Sequence, residues 1–241
     1  MQKPRVYVCG DVHLRQPDGV FMDFLQWLCQ QPAARLVILG DLFEFWLETP
    51  ARQRHYAALF ARLQRLQRLG WRLDLIPGNR EVVAGRRLAA ASGAQLHWPA
   101  CTVEQAGRRI RIVHGDRLVY DPVYHLSAAG LRGFWLQSTA MVMPPWMQDG
   151  LARLLRRSSR GSGHYPQQLP NTPRFFIDPR RVQAAARGCQ ALLAGHVHAR
   201  VHCQLRGIEF ALAGDWAQDR GSWLEILIDG RIRARQWPSV W

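Results

Sequence analysis

Lysine is almost missing from this chain: Lys3 is the only one, although lysine and arginine together number 32. Acidic side chains are also scarce, at 18, which leaves a formal net charge of +14. Such a field attracts anions, among them phosphates, nucleic acid and acidic lipid headgroups, without choosing between them. Arginine's planar fork suits phosphate oxygens, while genome composition explains an arginine bias equally well. No CxxC pair occurs, and the five cysteines (Cys9, Cys29, Cys101, Cys189, Cys203) form an odd set without close neighbours. Nothing therefore points to a cysteine zinc site or redox motif, and reduced thiols in a cytoplasmic protein are expected. No apolar run approaches 18 residues, so no transmembrane helix is expected. The apolar stretch at 6–9 is too short for the core of a signal peptide, and none is expected. Internal repeats and long low-complexity tracts are missing as well.

What is present suits one core. With 241 residues, 48% of them hydrophobic, the chain can form a single domain carrying insertions. Short apolar runs at 6–9, 36–39, 73–76, 110–113 and 191–194 each end in a polar or glycine-containing turn, as buried strands do where they feed loops at one end of a sheet. Helical spacing covers 19–31 and 52–69, where Leu59, Leu63, Leu66 and Leu69 recur between arginines, and Gly70 fits a C-terminal cap. Later, turns at Gly107, Gly207 and Asp229-Gly230 separate alternating strands in hairpins. The expectation is an α/β fold, two packed mixed β-sheets flanked by helices. Residues 118–178 break the rhythm and are read as a helical cap over the active face, with a loop or lid at 158–173 rich in Ser, Gly and Pro.

Five strand ends deliver Asp11 and His13, Asp41, Asn79, His114, and His196 with His198. Taken singly, each has an ordinary structural explanation. An aspartate or asparagine beside glycine is common turn chemistry, and a histidine at a strand end is often a satisfied polar group. His196-Val197-His198 is the stronger fragment, because residues i and i+2 of an extended segment point the same way. Together they present Asp, Asn and His but no Lys or Ser, a donor set matching Mn, Fe or Zn. A two-metal hydrolytic site needs a bridging carboxylate, oxygen and imidazole ligands on each ion, and rigid backbone. Strand-end turns provide that rigidity.

The ordered series GDVH (10–13), GDLFEFW (40–46), GNRE (78–81), HGD (114–116) and GHVH (195–198) resembles the calcineurin-like metallophosphoesterases. Among them the chain is similar to the UDP-2,3-diacylglucosamine pyrophosphatases of lipid A synthesis, from about residue 6 to the C-terminus. The resemblance implies a two-sheet sandwich and two divalent ions, manganese first, with iron or zinc as alternatives. It implies that Asp11, His13, Asp41 and His198 hold one ion and Asp41, Asn79, His114 and His196 the other, with Asp41 as the bridge. A carboxylate offers two oxygens where Asn and His offer one ligand atom each. Asp41, Asn79, Arg80 and His114 are accordingly the catalytic candidates.

Arg80 departs from the wider family, whose GNH form places a histidine after the asparagine. Arginine cannot act as a general acid, but it can neutralise a phosphate leaving group, and the lipid A pyrophosphatases share the GNR form. Glu81 stands where those enzymes usually carry aspartate. Their acidic run after the second motif is replaced here by Leu47-Glu48-Thr49-Pro50. These departures bear on substrate identity. In the cap, Asp121, Tyr124, Arg157, Ser158 and Arg160 look like the headgroup-binding residues of the lipid enzymes. A stripe that includes Trp135 and Trp146 suits an acyl groove, or ordinary core. The partners implied are a nucleotide-linked glycolipid and an anionic membrane surface, with the enzyme resting on the inner face of the cytoplasmic membrane. No nucleic acid and no obligate protein partner are expected. The competing readings are a phosphoesterase for soluble nucleotides or phosphodiesters, and a scaffold of the same fold without activity.

Overall fold

The computed structural model describes residues 4–81, 83–119 and 177–238. Two sheets lie face to face. The first runs in the order β11-β10-β1-β2-β3-β4, formed by Ile232–Trp237, Gly221–Leu227, Pro4–Cys9, Arg35–Ile38, Arg72–Leu75 and Gln95–Leu96. The second runs β5-β6-β7-β9-β8, formed by Ala100–Gln105, Arg108–Val113, Ala191–Ala194, Ile208–Ala213 and Arg200–Leu205. Strands β1 to β4 pair in parallel, as do β6, β7 and β9, while the remaining neighbours are antiparallel. The sheets are thus mixed, with helix-linked parallel strands first and hairpins later, as the sequence predicts.

Strand alternation distributes the apolar residues over three layers of contact. Val6, Val8, Val37, Leu39 and Ile76 face Ile110, Ile112, Ala191, Leu193, Ala211 and Ala213 between the sheets. Tyr7, Cys9, Leu36, Ile38, Leu73 and Leu75 point the other way, onto α1 (Val20–Leu28), α3 (Ala57–Arg68) and α4 (Arg86–Ser92). On the far side, Leu192, Ala194, Phe210 and Leu212 pack against Val182 and Ala186, on and just after α5 (Pro179–Ala185). The runs of β1, β2, β3 and β7 that feed candidate ligands are buried on both faces, and β6 buries Ile110 and Ile112 on one, so the loops start from fixed points.

The helix expected over 52–69 is two helices. A short α2 (Pro50–His55) is capped by the Thr49 side chain, which accepts from Arg52 N–H, and the chain leaves helical geometry at Tyr56 (φ −98, ψ 21) before α3 begins. The cause is tertiary. The Tyr56 ring packs on Phe43 and its hydroxyl donates to the Leu14 carbonyl at 2.8 Å, pulling the junction onto the loops that follow β1 and β2. Gly70 does follow the last turn in the left-handed region, at φ 89. All five cysteines are free thiols. No helix among the described residues is long and apolar enough to cross a membrane.

One polar residue interrupts the pattern of β3. Asp74 is fully buried on the face opposite Leu73 and Leu75. It accepts from Arg35 Nε at 2.6 Å and pairs with His97 Nε2 at 2.5 Å, with Arg72 Nε at 3.4 Å. Burial raises its carboxyl pKa, but the hydrogen bonds from Arg35 and His97 outweigh it and hold the group below the ordinary carboxylate range. Asp74→Asn is expected to cost about 2 kcal/mol near neutral pH, since it leaves the half-buried Arg35 guanidinium without its counter-charge. A depressed pKa stabilises the fold above the unfolded-state value, and that contribution is lost as pH falls through the folded-state value. Urea midpoints of the two proteins should therefore differ at pH 7 and converge in acid.

Candidate metal centre

The loops that leave β1, β2, β3, β6 and β7 meet at one end of the sandwich. The first two run side by side beyond their strands. Asp11 N–H donates to the Gly40 carbonyl at 3.1 Å, Val12 and His13 N–H both donate to the Asp41 carbonyl at 2.9 Å, and Leu14 N–H donates to the Leu42 carbonyl at 3.0 Å. Gly195 N–H donates to the His114 carbonyl at 2.8 Å, tying β7 to β6 in the same way. Between these pairs, His196 N–H donates to Asp11 Oδ2 at 2.6 Å.

Backbone strain is concentrated here. Among the described residues, seven that are not glycine have positive φ, and five of them are Asp11, His13, Asp41, His196 and His198. The other two, Ala106 and Arg206, each precede a glycine in a hairpin turn. Left-handed geometry is costly for such side chains and persists where the surroundings enforce it. The enforcement is visible in the glycines, since a Cβ on Gly195 would lie 2.4 Å from Asp11 Oδ2.

Two clusters result. In one, the Nε2 atoms of His13 and His198 face each other at 3.1 Å, with Asp11 Oδ1 at 3.8 Å from His198 Nε2 and Asp41 Oδ2 at 4.0 Å from His13 Nε2. In the other, His114 Nε2 lies 2.9 Å from Asn79 Oδ1 and 3.7 Å from Asp41 Oδ1, and the His196 ring sits 5.1 Å from that of His114. Asp11, His13 and His198 can bring donor atoms within 4.8 Å of one another, and so can Asp41, His114 and His196. Asp41 directs one oxygen to each cluster. All seven candidate ligands from the sequence are therefore brought together.

The donor chemistry fits divalent cations. Asp11 Oδ1 is buried with no hydrogen-bond partner among the described residues, a costly arrangement unless a cation takes the lone pair. Two imidazole nitrogens aimed at each other at 3.1 Å also converge on a point. Burial pushes the Asp11 carboxyl up to about 8, with the Asp41 charge adding to the rise and His114 opposing it. Burial also drives His13 down to about 4 and His196 to about 3, and lowers His198, so all three are neutral ligands at pH 7. Against its own burial, Asp41 is held at about 2 by His114, His13, Arg80 and His196, and stays ionised. His114 is raised despite burial by Asp41 and Asp11. Its Nδ1 donates to the Leu39 carbonyl at 2.7 Å, which leaves Nε2 as the atom turned to Asn79 and Asp41.

Arg80 belongs to the same site. Its backbone N–H donates to Asp41 Oδ1 at 2.9 Å, and its Nε lies 4.0 Å from Asp41 Oδ2, buried with no hydrogen-bond partner among the described residues. Two other acids were not singled out as site residues from sequence. Asp215, in the Gly214-Asp215-Trp216 turn after β9, places its charge near His198 and Asp11, and Trp216 N–H reaches the Asp11 carbonyl at 3.3 Å. This glycine-aspartate pair after a strand repeats the signal of Gly10-Asp11 and Gly40-Asp41. Glu81 is the other. It is fully buried against backbone, so its difference from aspartate concerns loop geometry and not contact with a substrate. Burial, then the Asp41 charge, raises its carboxyl to about 7, and backbone N–H groups oppose the rise. Asp121, Tyr124, Trp135, Trp146, Arg157, Ser158 and Arg160 lie outside the described residues.

The model of the calcineurin-like phosphoesterase family matches residues 4–200, a span that holds all five loops. The chain belongs to the calcineurin-like phosphoesterases. Among curated members of this family's kind, the UDP-2,3-diacylglucosamine hydrolase of Ralstonia nicotianae is 32% identical over 95% of this chain and 91% of the relative. That of Haemophilus influenzae is 28% identical over 91% and 94%. The hydrolase of Nitrosococcus oceani is 32% identical over 77% and 75%. Membership makes the chain a metal-dependent hydrolase and explains why strained Asp and His residues crowd one end of an otherwise apolar sandwich.

Proposed function

We propose that this phosphoesterase hydrolyses the pyrophosphate bond of UDP-2,3-diacylglucosamine, releasing UMP and 2,3-diacylglucosamine 1-phosphate, a step of lipid A synthesis. The observation that carries the reading is the pairing of the two histidine and aspartate clusters about Asp41 with similarity to UDP-2,3-diacylglucosamine hydrolases along nearly the whole chain. Asp11, His13, Asp41 and His198 hold one ion; Asp41, Asn79, His114 and His196 hold the other; manganese suits this mixed oxygen and nitrogen set. When bound, such ions supply Lewis acidity, lowering the pKa of water and neutralising phosphoryl charge.

The chain's own groups do the rest. Arg80 holds a fixed positive charge beside Asp41, where it stabilises the charge that develops on a departing phosphate without donating a proton. His114 keeps its Nδ1 proton on the Leu39 carbonyl, so the ring cannot rotate away. Residues 118–178 form the cap that receives the glycolipid, with Asp121, Tyr124, Arg157, Ser158 and Arg160 at the headgroup and Trp135 and Trp146 at the acyl chains. Both ends of that segment stay close to the site. Val119 bridges Ile177, and Asp178 N–H donates to the Leu118 carbonyl at 3.0 Å, four residues beyond His114. The enzyme works in the cytoplasm against the anionic inner face of the membrane, to which a net charge of +14 draws it.

Hydrolysis of UDP-glucosamine carrying long, short or no acyl chains, at fixed detergent and with manganese supplied, tests the assignment. Each buried methylene contributes about 0.8 kcal/mol, so shortening each of the two chains by one carbon is expected to lower kcat/KM about fifteenfold. UMP release should be seen throughout. Equal constants across the series would assign the metal centre to a soluble nucleotide or another phosphodiester instead.

A further inference from the structure

The four hydrogen bonds of the Glu81 carboxylate all come from main-chain N–H groups. Asp41 and Gly78 donate to Oε2, each at 2.8 Å, while Leu42 and Phe43 donate to Oε1 at 2.9 and 3.2 Å. Asp41 to Phe43 belong to the loop after β2, and Gly78 to the loop after β3 that carries Asn79 and Arg80. The parallel ladder between these strands closes with Ile76 N–H donating to the Ile38 carbonyl at 2.9 Å. Past that point the loops stay in close contact, a Cβ at Gly40 falling 2.3 Å from Gly78 N, and the Glu81 carboxylate takes donors from both. The loops are drawn together on a fully buried side chain.

We propose that Glu81 is a positioning residue that sets the spacing between the Asp41 loop and the Asn79 loop, and so the affinity for the ion shared by Asp41, Asn79, His114 and His196. The inference rests on the two-ion reading above. The other cluster depends less on this clasp, because its Asp11 and His13 donate directly to the Gly40 and Asp41 carbonyls respectively. Glutamine at 81 has the same shape but only one accepting atom, so either amide orientation leaves two of the four N–H donors unpaired. Aspartate keeps the charge but is shorter by one bond of about 1.5 Å, so it cannot reach both loops at once without moving one.

The test is manganese titration of the full-length apoprotein, followed by calorimetry and by electron paramagnetic resonance. The unsubstituted protein should take up two ions and give the spectrum of a magnetically interacting pair. Glu81→Gln should bind one ion with unchanged affinity and the second at least tenfold more weakly, giving the spectrum of isolated ions until manganese is raised. If Glu81→Gln fails to fold, Glu81→Asp is titrated in its place, with the same loss expected for the second ion. Asp74→Asn, a change to a buried carboxylate outside the site, should lower the melting temperature with no change in either reading. Two ions bound with unchanged affinity and an intact pair spectrum in the Glu81 variant would overturn the proposal, whatever happens to its melting temperature. An unsubstituted protein that takes up no ions would overturn the two-ion reading itself.

Discussion

Asp41→Asn is expected to lower hydrolysis by about a thousandfold or more, a barrier change near 4 kcal/mol, and to leave at most one tightly held ion per chain. Asp41 is the only candidate ligand with an oxygen toward each cluster, Oδ2 at 4.0 Å from His13 Nε2 and Oδ1 at 3.7 Å from His114 Nε2. Asparagine preserves the volume and the carbonyl that pairs with Val12 and His13 N–H. It removes the charge. Asp41 is ionised amid His114, His13, Arg80 and His196; without its charge the Arg80 guanidinium and two cations would repel one another with nothing between them. His13→Ala removes one ligand from one cluster and should cost about a hundredfold at most by the same arithmetic. Turnover and metal content of both proteins, measured together, decide the point. Two ions retained by Asp41→Asn would reject the bridging role. A chelator should abolish activity in the unsubstituted enzyme and manganese should restore it.

The strand ends were legible because their signal is local. A buried apolar run of four residues followed by a polar or glycine-containing turn needs no knowledge of the remaining chain, and β1, β2, β3, β6 and β7 occupy the predicted runs to within about two residues. Their convergence was legible for a related reason: parallel strands in one layer send their carboxyl ends to one edge. The break at Tyr56 was not legible. Leucine spacing runs smoothly through it, and only the distant Phe43 ring and Leu14 carbonyl pull the chain out of helical geometry.

Glu81 and Asp215 illustrate a different limit. Their residue types could be read from the sequence, but not the direction of their side chains. Glu81 sits beside Asn79 and Arg80, so adjacency suggests a surface contact with substrate, whereas in the fold it turns inward to four amides. Asp215 lies between two hairpins, after β9 and before β10. Only the return of β10 to the side of β1 brings that turn over Asp11. The seven metal candidates were recognisable because strain, glycine and polar chemistry coincide in five short motifs. Glu81 carries no such coincidence, and Asp215 carries only the glycine-aspartate pair.

The glycines of those motifs lead to the second large effect. Gly78→Ala is expected to destabilise the fold by about 3 kcal/mol, in the range of severe overpacking, and to lower turnover by about a hundredfold, as displacement of reacting groups by an ångström can do. Its φ is not in the left-handed region, so alanine meets no conformational objection there. The objection is space. A Cβ at 78 would stand 2.3 Å from Asp41 Oδ1, 2.6 Å from Asp41 N and 2.8 Å from His114 Cε1. None of these can yield cheaply. Asp41 Oδ1 accepts from Arg80 N–H, Asp41 N–H is spent on Glu81, and His114 is fixed by the Leu39 carbonyl. The displaced atoms are those that would hold an ion, so stability and catalysis should fall together. Gly107→Ala separates the two effects, because Gly107 has φ 74 but no atom within 4 Å of its Cβ position. That change should cost about 1 kcal/mol of strain and leave turnover intact. Denaturant midpoints, metal content and kcat for the two variants give the comparison. Full activity in Gly78→Ala would mean that the Asp41 and Asn79 loops can separate without penalty, and that their close approach is not what the chemistry requires.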